Sequence, residues 1–138
     1  MIDRRWIGTS LPPSKLRVEA GRLAFFSKAT GNSPGEEPQI APPTFLFSAY
    51  TDSNVYFDLL DQMKVPHHRL LHGEQNFEYF APLRVGDEIR VQGRVVNITD
   101  KKNGALEFIE IASEAFNQAD VLVARLSGLL VVRNPGVA

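Results

Sequence analysis

Ala41-Pro42-Pro43-Thr44-Phe45-Leu46-Phe47-Ser48-Ala49-Tyr50 is a double proline running into a segment that is apolar on nearly every side of a helical wheel. A helix of that character must be covered all round, so it belongs inside a domain. The prolines preset φ for a helix start and remove two N–H donors at that point. Thr51-Asp52-Ser53-Asn54 predicts a break or kink, with the helix resuming at Val55-Tyr56-Phe57-Asp58-Leu59-Leu60. The fold then depends on what wraps this helix.

Downstream of Pro66 the texture turns to strands. Phe77 and Tyr79 alternate with Glu78 and Phe80, and Ile89, Val91, Gly93 and Val95 alternate with Arg90, Gln92 and Arg94. That period of two predicts half-exposed strands. Gly86-Asp87 reads as a turn, glycine supplying the unusual dihedral and Asp87 capping backbone. Lys102-Asn103-Gly104 predicts a hairpin, because Asn-Gly tolerates the positive φ angles of a type I′ turn. Leu106 to Phe116 is the return strand, Asn117-Gln118-Ala119-Asp120 a second turn, and Val121 to Val132 a final long strand. Upstream, Ser10-Leu11-Pro12-Pro13-Ser14 reads as turn-rich. Leu23, Phe26 and Ala29 then recur at helical spacing, closed by Gly31-Asn32 as a C-cap. Residues 31–43 predict a long loop, and a long loop inside a compact domain is often functional.

The order is helix, buried helix, then at least four antiparallel strands. A curved antiparallel sheet around a long central helix satisfies it, in one α+β domain spanning residues 1–138. This is the logic of the hot-dog fold. Such sheets commonly dimerise through edge strands, which also disposes of an aggregation-prone edge.

Composition narrows the function. A net charge of −1 offers no electrostatic reason for a nucleic-acid or anionic-membrane partner. The absence of cysteine excludes a disulfide framework, a thiol nucleophile and a thiolate metal site. No apolar run approaches the roughly 20 residues of a membrane span, and Met1–Gly8 lacks a signal-like apolar core. The expectation is a soluble, cytoplasmic protein with no cofactor.

Trp6-Ile7-Gly8, Val18-Glu19-Ala20-Gly21, Phe26-Ser27-Lys28-Ala29-Thr30-Gly31, Ala41-Pro42-Pro43-Thr44-Phe45, Leu71-His72-Gly73-Glu74-Gln75-Asn76-Phe77-Glu78-Tyr79 and Pro82-Leu83-Arg84-Val85-Gly86-Asp87 occur in this order along almost the whole chain. Together they resemble the MaoC-like dehydratase N-terminal domains, relatives of (R)-specific enoyl-CoA hydratases and 3-hydroxyacyl dehydratases. The resemblance implies a hot-dog fold and a pocket for an acyl thioester on CoA or acyl carrier protein. It implies an Asp and a His in the loop after the first helix, handling water by general acid–base chemistry. It also implies a helix-start N–H that polarises the thioester carbonyl. The substrate-binding positions that match are Pro43, Thr44 and Phe45 at the helix start and Gly73 beside His72.

This chain departs from that pattern where the chemistry would occur. The loop reads Gly31-Asn32-Ser33-Pro34-Gly35-Glu36-Glu37-Pro38, with Asn32 at the Asp position and no histidine after it. Asparagine can hold a water but cannot take its proton at neutral pH. Pro42-Pro43 stands where hydratases carry His-Gly, leaving Thr44 N–H as a substitute donor. The catalytic candidates that remain are Asn32 and His72, with the loop glutamates Glu36 and Glu37 as alternative bases or simply solvated residues. Asp87 fits a turn role better than a catalytic one. His67 and His68, neighbours in an extended segment, would point to opposite faces and hold no metal. Arg84, Arg90 and Arg94 are CoA-phosphate candidates or ordinary surface charge.

The reading is therefore an acyl-thioester-binding subunit of an enoyl-CoA hydratase or 3-hydroxyacyl dehydratase, dimerised with a catalytic hot-dog paralogue. The alternatives are a self-sufficient homodimeric hydratase and a non-catalytic acyl-thioester sensor. A thioesterase is disfavoured for want of a nucleophile or base in the loop.

Overall fold

The computed structural model describes residues 1–32 and 40–136; the loop glutamates Glu36 and Glu37 lie outside the described residues. Strand β1 (Ser14–Arg17) leads to helix α1 (Ala20–Ala29), helices α2 (Ser48–Ser53) and α3 (Val55–Gln62), and strands β2 (Leu70–Tyr79), β3 (Glu88–Lys101), β4 (Leu106–Phe116) and β5 (Leu122–Arg133). The five strands form one antiparallel sheet in the order β1-β3-β4-β5-β2, so β1 and β2 are its edges. The sheet curls around the helices, and the fold is the hot-dog α+β class.

The core lies between the helices and the inner sheet face. Burial alternates along β3, β4 and β5, putting Ile89, Val91, Val95, Ile109, Ile111, Leu126 and Leu130 inside. Helix α3 buries Val55, Tyr56, Leu59 and Leu60 and turns Phe57, Asp58 and Asp61 outward, a one-sided stripe for a helix lying on a sheet. Each fully buried aliphatic side chain contributes about 1.5–3 kcal/mol over its exposed state.

The central helix is segmented, not one long rod. A 3-10 turn covers Phe45–Phe47, α2 follows, and Asn54 adopts φ 59° before α3 begins. Left-handed backbone halts an α-helix, and asparagine tolerates it better than most residues. The expected break thus falls on Asn54. Strand β1, absent from the sequence expectation, pairs Ser14–Arg17 with Val91–Glu88. Strand β2 begins at Leu70, well before the predicted alternation. His67 and His68 are not extended: they sit in a 3-10 turn after Pro66, with His67 Nε2 2.7 Å from Asp61 Oδ1.

The local punctuation follows the chemistry of its residues. Gly31 (φ 75°) and Asn32 close α1 as a Schellman cap, Gly31 N–H donating to Lys28 O and Asn32 N–H to Ser27 O. Asn103 (φ 53°) and Gly104 (φ 87°) form the type I′ turn, with Ala105 N–H on Lys102 O at 3.1 Å. Asp87 Oδ2 accepts from Arg84 N–H at 2.8 Å across the Gly86 turn. No helix among the described residues is long and apolar enough to cross a membrane.

Candidate functional site

A bulge in β2 creates the site. His72 pairs with Leu130 and Glu74 with Leu129, leaving Gly73 as the extra residue. In a regular strand, residues three apart face opposite sides of the sheet; one inserted residue returns them to the same side. His72 and Gln75 accordingly meet, Nε2 and Oε1 lying 3.2 Å apart. The bulge is crowded for any side chain at residue 73: a Cβ there would lie 2.9 Å from Val131 Cγ2 and 3.2 Å from Leu129 O, so the neighbours would have to shift.

Behind this pair, under α2 and α3, lies a buried polar cluster. Tyr50 and Tyr56 stack at 4.3 Å between ring centroids and are joined through their hydroxyls, and Tyr50 donates onward to Ser113 Oγ. Two strand-interior glycines make the room. A Cβ on residue 93 would stand 2.7 Å from Ser113 Oγ and 3.5 Å from the Tyr50 hydroxyl. On residue 128 it would meet Gln75 Oε1 at 3.0 Å and the Tyr56 hydroxyl at 3.4 Å. Phe47 roofs the group, its centroid 5.8 Å from Tyr50, 6.1 Å from Tyr56 and 5.1 Å from His72. The Gln75 Nε2 is buried with no hydrogen-bond partner among the described residues.

Burial sets the protonation of the cluster. Desolvation pushes the Tyr50 hydroxyl up, against the opposing effect of its bonds to Ser113 and Tyr56. It pushes Tyr56 up further, with Tyr50 adding to the shift. Both hydroxyls are therefore neutral hydrogen-bond donors and acceptors near pH 7, not bases. Histidine is the one side-chain type in the cluster that exchanges a proton near neutral pH. His72 is exposed, and no described carboxylate lies within 4 Å of it. The arrangement can orient an oxygenated group and lend it hydrogen bonds.

The other candidates from the sequence are placed as follows. Asn32 is exposed at the end of α1, its Nδ2 donating to Thr30 Oγ1 at 3.0 Å. Among the described residues no hydrogen bond joins it to His72. Pro43 carbonyl accepts from the Tyr79 hydroxyl, which ties the helix-start segment to edge strand β2. Phe45 N–H is bonded to Pro42 O, whereas Thr44 N–H has no backbone acceptor among the described residues. Phe45 is fully buried, edge-on to Phe26 at 5.4 Å, with the Arg22 guanidinium 5.6 Å from its ring and Arg22 itself paired to Asp52. Arg90 pairs with Asp120 and lies against Phe116. Among the described residues no group of three or more His, Cys, Asp or Glu could hold a metal ion. Tyr50, Tyr56, Gln75 and Ser113 were not legible as a site, although Gly93 and Gly128, each isolated inside a strand, were the available signal of close approach.

Residues 5–126 match the family described as FAS1-like, dehydratase domain region. The chain belongs to that family. Its relatives include UPF0336 proteins of Streptomyces griseus (26% identical) and Streptomyces coelicolor (28%), in each case over 96% of this chain and 95% of theirs. Among solved structures, a chain of the HadBC (3R)-hydroxyacyl-ACP dehydratase complex of Mycobacterium tuberculosis superposes with TM-score 0.72 at 16% identity, over 91% of this chain and 96% of that one. The (R)-hydratase from A. caviae involved in PHA biosynthesis gives 0.64 at 18%, over 90% and 94%. The ChsH1-ChsH2 complex of M. tuberculosis gives 0.59 at 15%, over 92% and 98%. These superpositions establish the hot-dog fold of the dehydratase family member.

All three tyrosines of the chain carry raised pKa values, Tyr79 being pushed up to about 12 by burial. Unfolded tyrosine ionises near pH ~10. The unfolded chain therefore releases protons that the folded chain retains, and stability falls as pH rises. The tyrosine contribution is complete below pH ~10 and disappears as pH climbs through about 12 and beyond. Spectrophotometric titration should show tyrosinate absorbance rising together with loss of circular dichroism. A tyrosine that ionises reversibly near pH ~10 in the folded protein would contradict the buried cluster.

Proposed function

We propose that this family member is the acyl-thioester-binding subunit of an enoyl-thioester hydratase or 3-hydroxyacyl-thioester dehydratase, acting beside a hot-dog paralogue that supplies the Asp/His pair. One observation carries the reading: the polar cluster beneath α2 and α3 contains hydrogen-bond donors and a histidine but no described carboxylate, while Asn32 bonds to Thr30 at the end of α1. Hydration across an enoyl thioester needs a group that takes the water proton and another that returns one to carbon. Neutral tyrosines, Gln75 and Asn32 do not take protons. Thr44 N–H, without a backbone acceptor, is the donor available near the double proline. The free edge of β2 offers a ten-residue strand for pairing with a second hot-dog chain, and neighbours of the same fold are named as two-chain complexes.

The test is hydration of crotonyl-CoA and longer enoyl-CoAs. The chain alone should run near background, and addition of a paralogue with an intact Asp/His pair should raise the rate about 10²–10⁴-fold, the usual worth of a positioned acid–base group. Rapid hydration by the chain alone, lost in Asn32→Ala or His72→Ala, would replace this reading with a self-sufficient homodimeric enzyme. Saturable binding with no turnover beside any paralogue would leave a thioester sensor.

A further inference from the structure

Strand β2 is an edge of the sheet: β5 lies on one side of it, and its other flank is unpaired among the described residues. Beyond the bulge at Gly73 the ladder with β5 runs without interruption from Glu74↔Leu129 to Tyr79↔Ala124. Residues 74–79 therefore present a regular free edge of backbone N–H and C=O groups. Side chains alternate along it. Gln75, Phe77 and Tyr79 are half-buried on the inner face, and Glu74, Asn76 and Glu78 are exposed on the outer face. The whole strand, Leu70–Tyr79, contains no lysine or arginine.

Charge is also patterned across the strands of the outer face. In one row Glu114 of β4 stands beside Arg125 of β5, and Arg125 stands beside Glu78 of β2. Arg125 Nε lies 3.4 Å from Glu114 Oε2. The signs run negative, positive, negative, and a cation at the next position, across the free edge, continues the alternation. Glu74 has Leu129 beside it on β5 and meets no cation there. A second copy of this chain offers the wrong sign. Residues directly opposite in an antiparallel ladder share a face of the sheet, and like charges so placed are destabilising. Two β2 strands paired about Asn76 set Glu74 of each against Glu78 of the other. Shifting that register by two residues sets a glutamate against Asn76, and shifting it by four sets a glutamate against its own counterpart. In each case four carboxylates share one face with no β2 cation among them.

We infer that the β2 edge rejects a second copy of this chain and pairs with a different hot-dog chain, one whose edge strand carries lysine or arginine opposite Glu74 and Glu78. The inference rests on the two-chain reading put forward above and names the chemistry of the second chain. Backbone hydrogen bonds supply the attachment and are blind to sequence, so the outward charges decide which strand is accepted. The other edge strand of this chain, β1, exposes Lys15 and Arg17 but is four residues long, too short to cover residues 74–79.

Sedimentation of the full chain, of its charge-reversed variant E74K/E78K and of an equimolar mixture tests this. Each alone should self-associate weakly, and the mixture should form a 1:1 pair at least about tenfold tighter than either self-pair. That gain should fade at about 1 M salt, where the Debye length is about 3 Å. The near-isosteric E74Q/E78Q, freed of repulsion, should self-associate about threefold more tightly than the unaltered chain, and it provides the test should the reversed variant fold poorly. Absence of a 1:1 pair in the mixture overturns the proposal and leaves the carboxylates as guards against aggregation. Self-pairing of the unaltered chain that neither salt nor E74Q/E78Q changes overturns it too. Assemblies of more than two chains that K15E/R17E disperses would assign the edge to β1 of a second copy, with the same consequence. The functional reading fails separately. Hydration restored by a paralogue whose edge strand is acidic overturns the charge rule alone. A 1:1 pair in the mixture, beside hydration that no paralogue with a basic edge strand restores, overturns the functional reading alone.

Discussion

Glu107→Ala lowers the free energy of unfolding by about 3–5 kcal/mol, read from urea titration followed by circular dichroism. Glu107 sits on the inner face of β4 and is only 2% exposed. Its Oε1 accepts from Ile2 N–H at 2.6 Å and its Oε2 from Asn134 Nδ2 at 2.8 Å, with Arg4 Nη1 3.7 Å away. Arg4 is also bonded to Ile2 O and to Asp100. One carboxylate therefore ties the N-terminal segment and the end of β5 to the middle of the sheet. Truncation leaves two donors and a guanidinium facing a small void, and unsatisfied buried donors cost about 1–3 kcal/mol each. Glu107→Gln should lose less, because its carbonyl still serves Ile2 while its amide meets the Asn134 amide donor to donor. A loss below about 1 kcal/mol for the alanine variant would mean that water replaces the carboxylate and that the clamp contributes little.

Gly93→Val should lose about 3 kcal/mol or more, combining an overpacked core with a broken buried hydrogen bond. The new Cβ falls 2.7 Å from Ser113 Oγ, which is fixed by the Tyr50 hydroxyl. The Ser113 hydroxyl must rotate away or β3 and β4 must part. A double-mutant cycle identifies the cause. In an Ser113→Ala background the same substitution should cost clearly less, and Tyr50→Phe alone should cost about 1 kcal/mol. Additive losses would place the strain in the valine branches against other neighbours.

Parts of the fold were legible because they depend on neighbours in sequence. Asn103-Gly104, Gly31-Asn32 and Gly86-Asp87 each adopt the turn or cap that their own backbone preferences dictate. The segmented helix was legible at Asn54 for the same reason. Strand β1 was not, since four residues after a double proline carry too little alternation, and Ser14–Arg17 is a strand only because β3 offers it a partner. The site divides along the same line. His72 and Gly73 stand in a recognisable segment, but Tyr50 and Tyr56 look like core aromatics until the fold sets Ser113 and Gln75 against them. Nothing local to Tyr50 announces a serine sixty-three residues away.

The bulge at Gly73 makes the chemistry of the inner face sensitive to counting. Were that single residue deleted and the pairing of Gln75, Phe77 and Tyr79 with β5 retained, the preceding residues would invert. Leu71 would turn inward beneath Phe47, and the imidazole of His72 would be handed to the solvent side. A lineage could thus discard its only proton-exchanging group in the cluster, or regain it, through one codon's insertion or loss and without replacing any side chain.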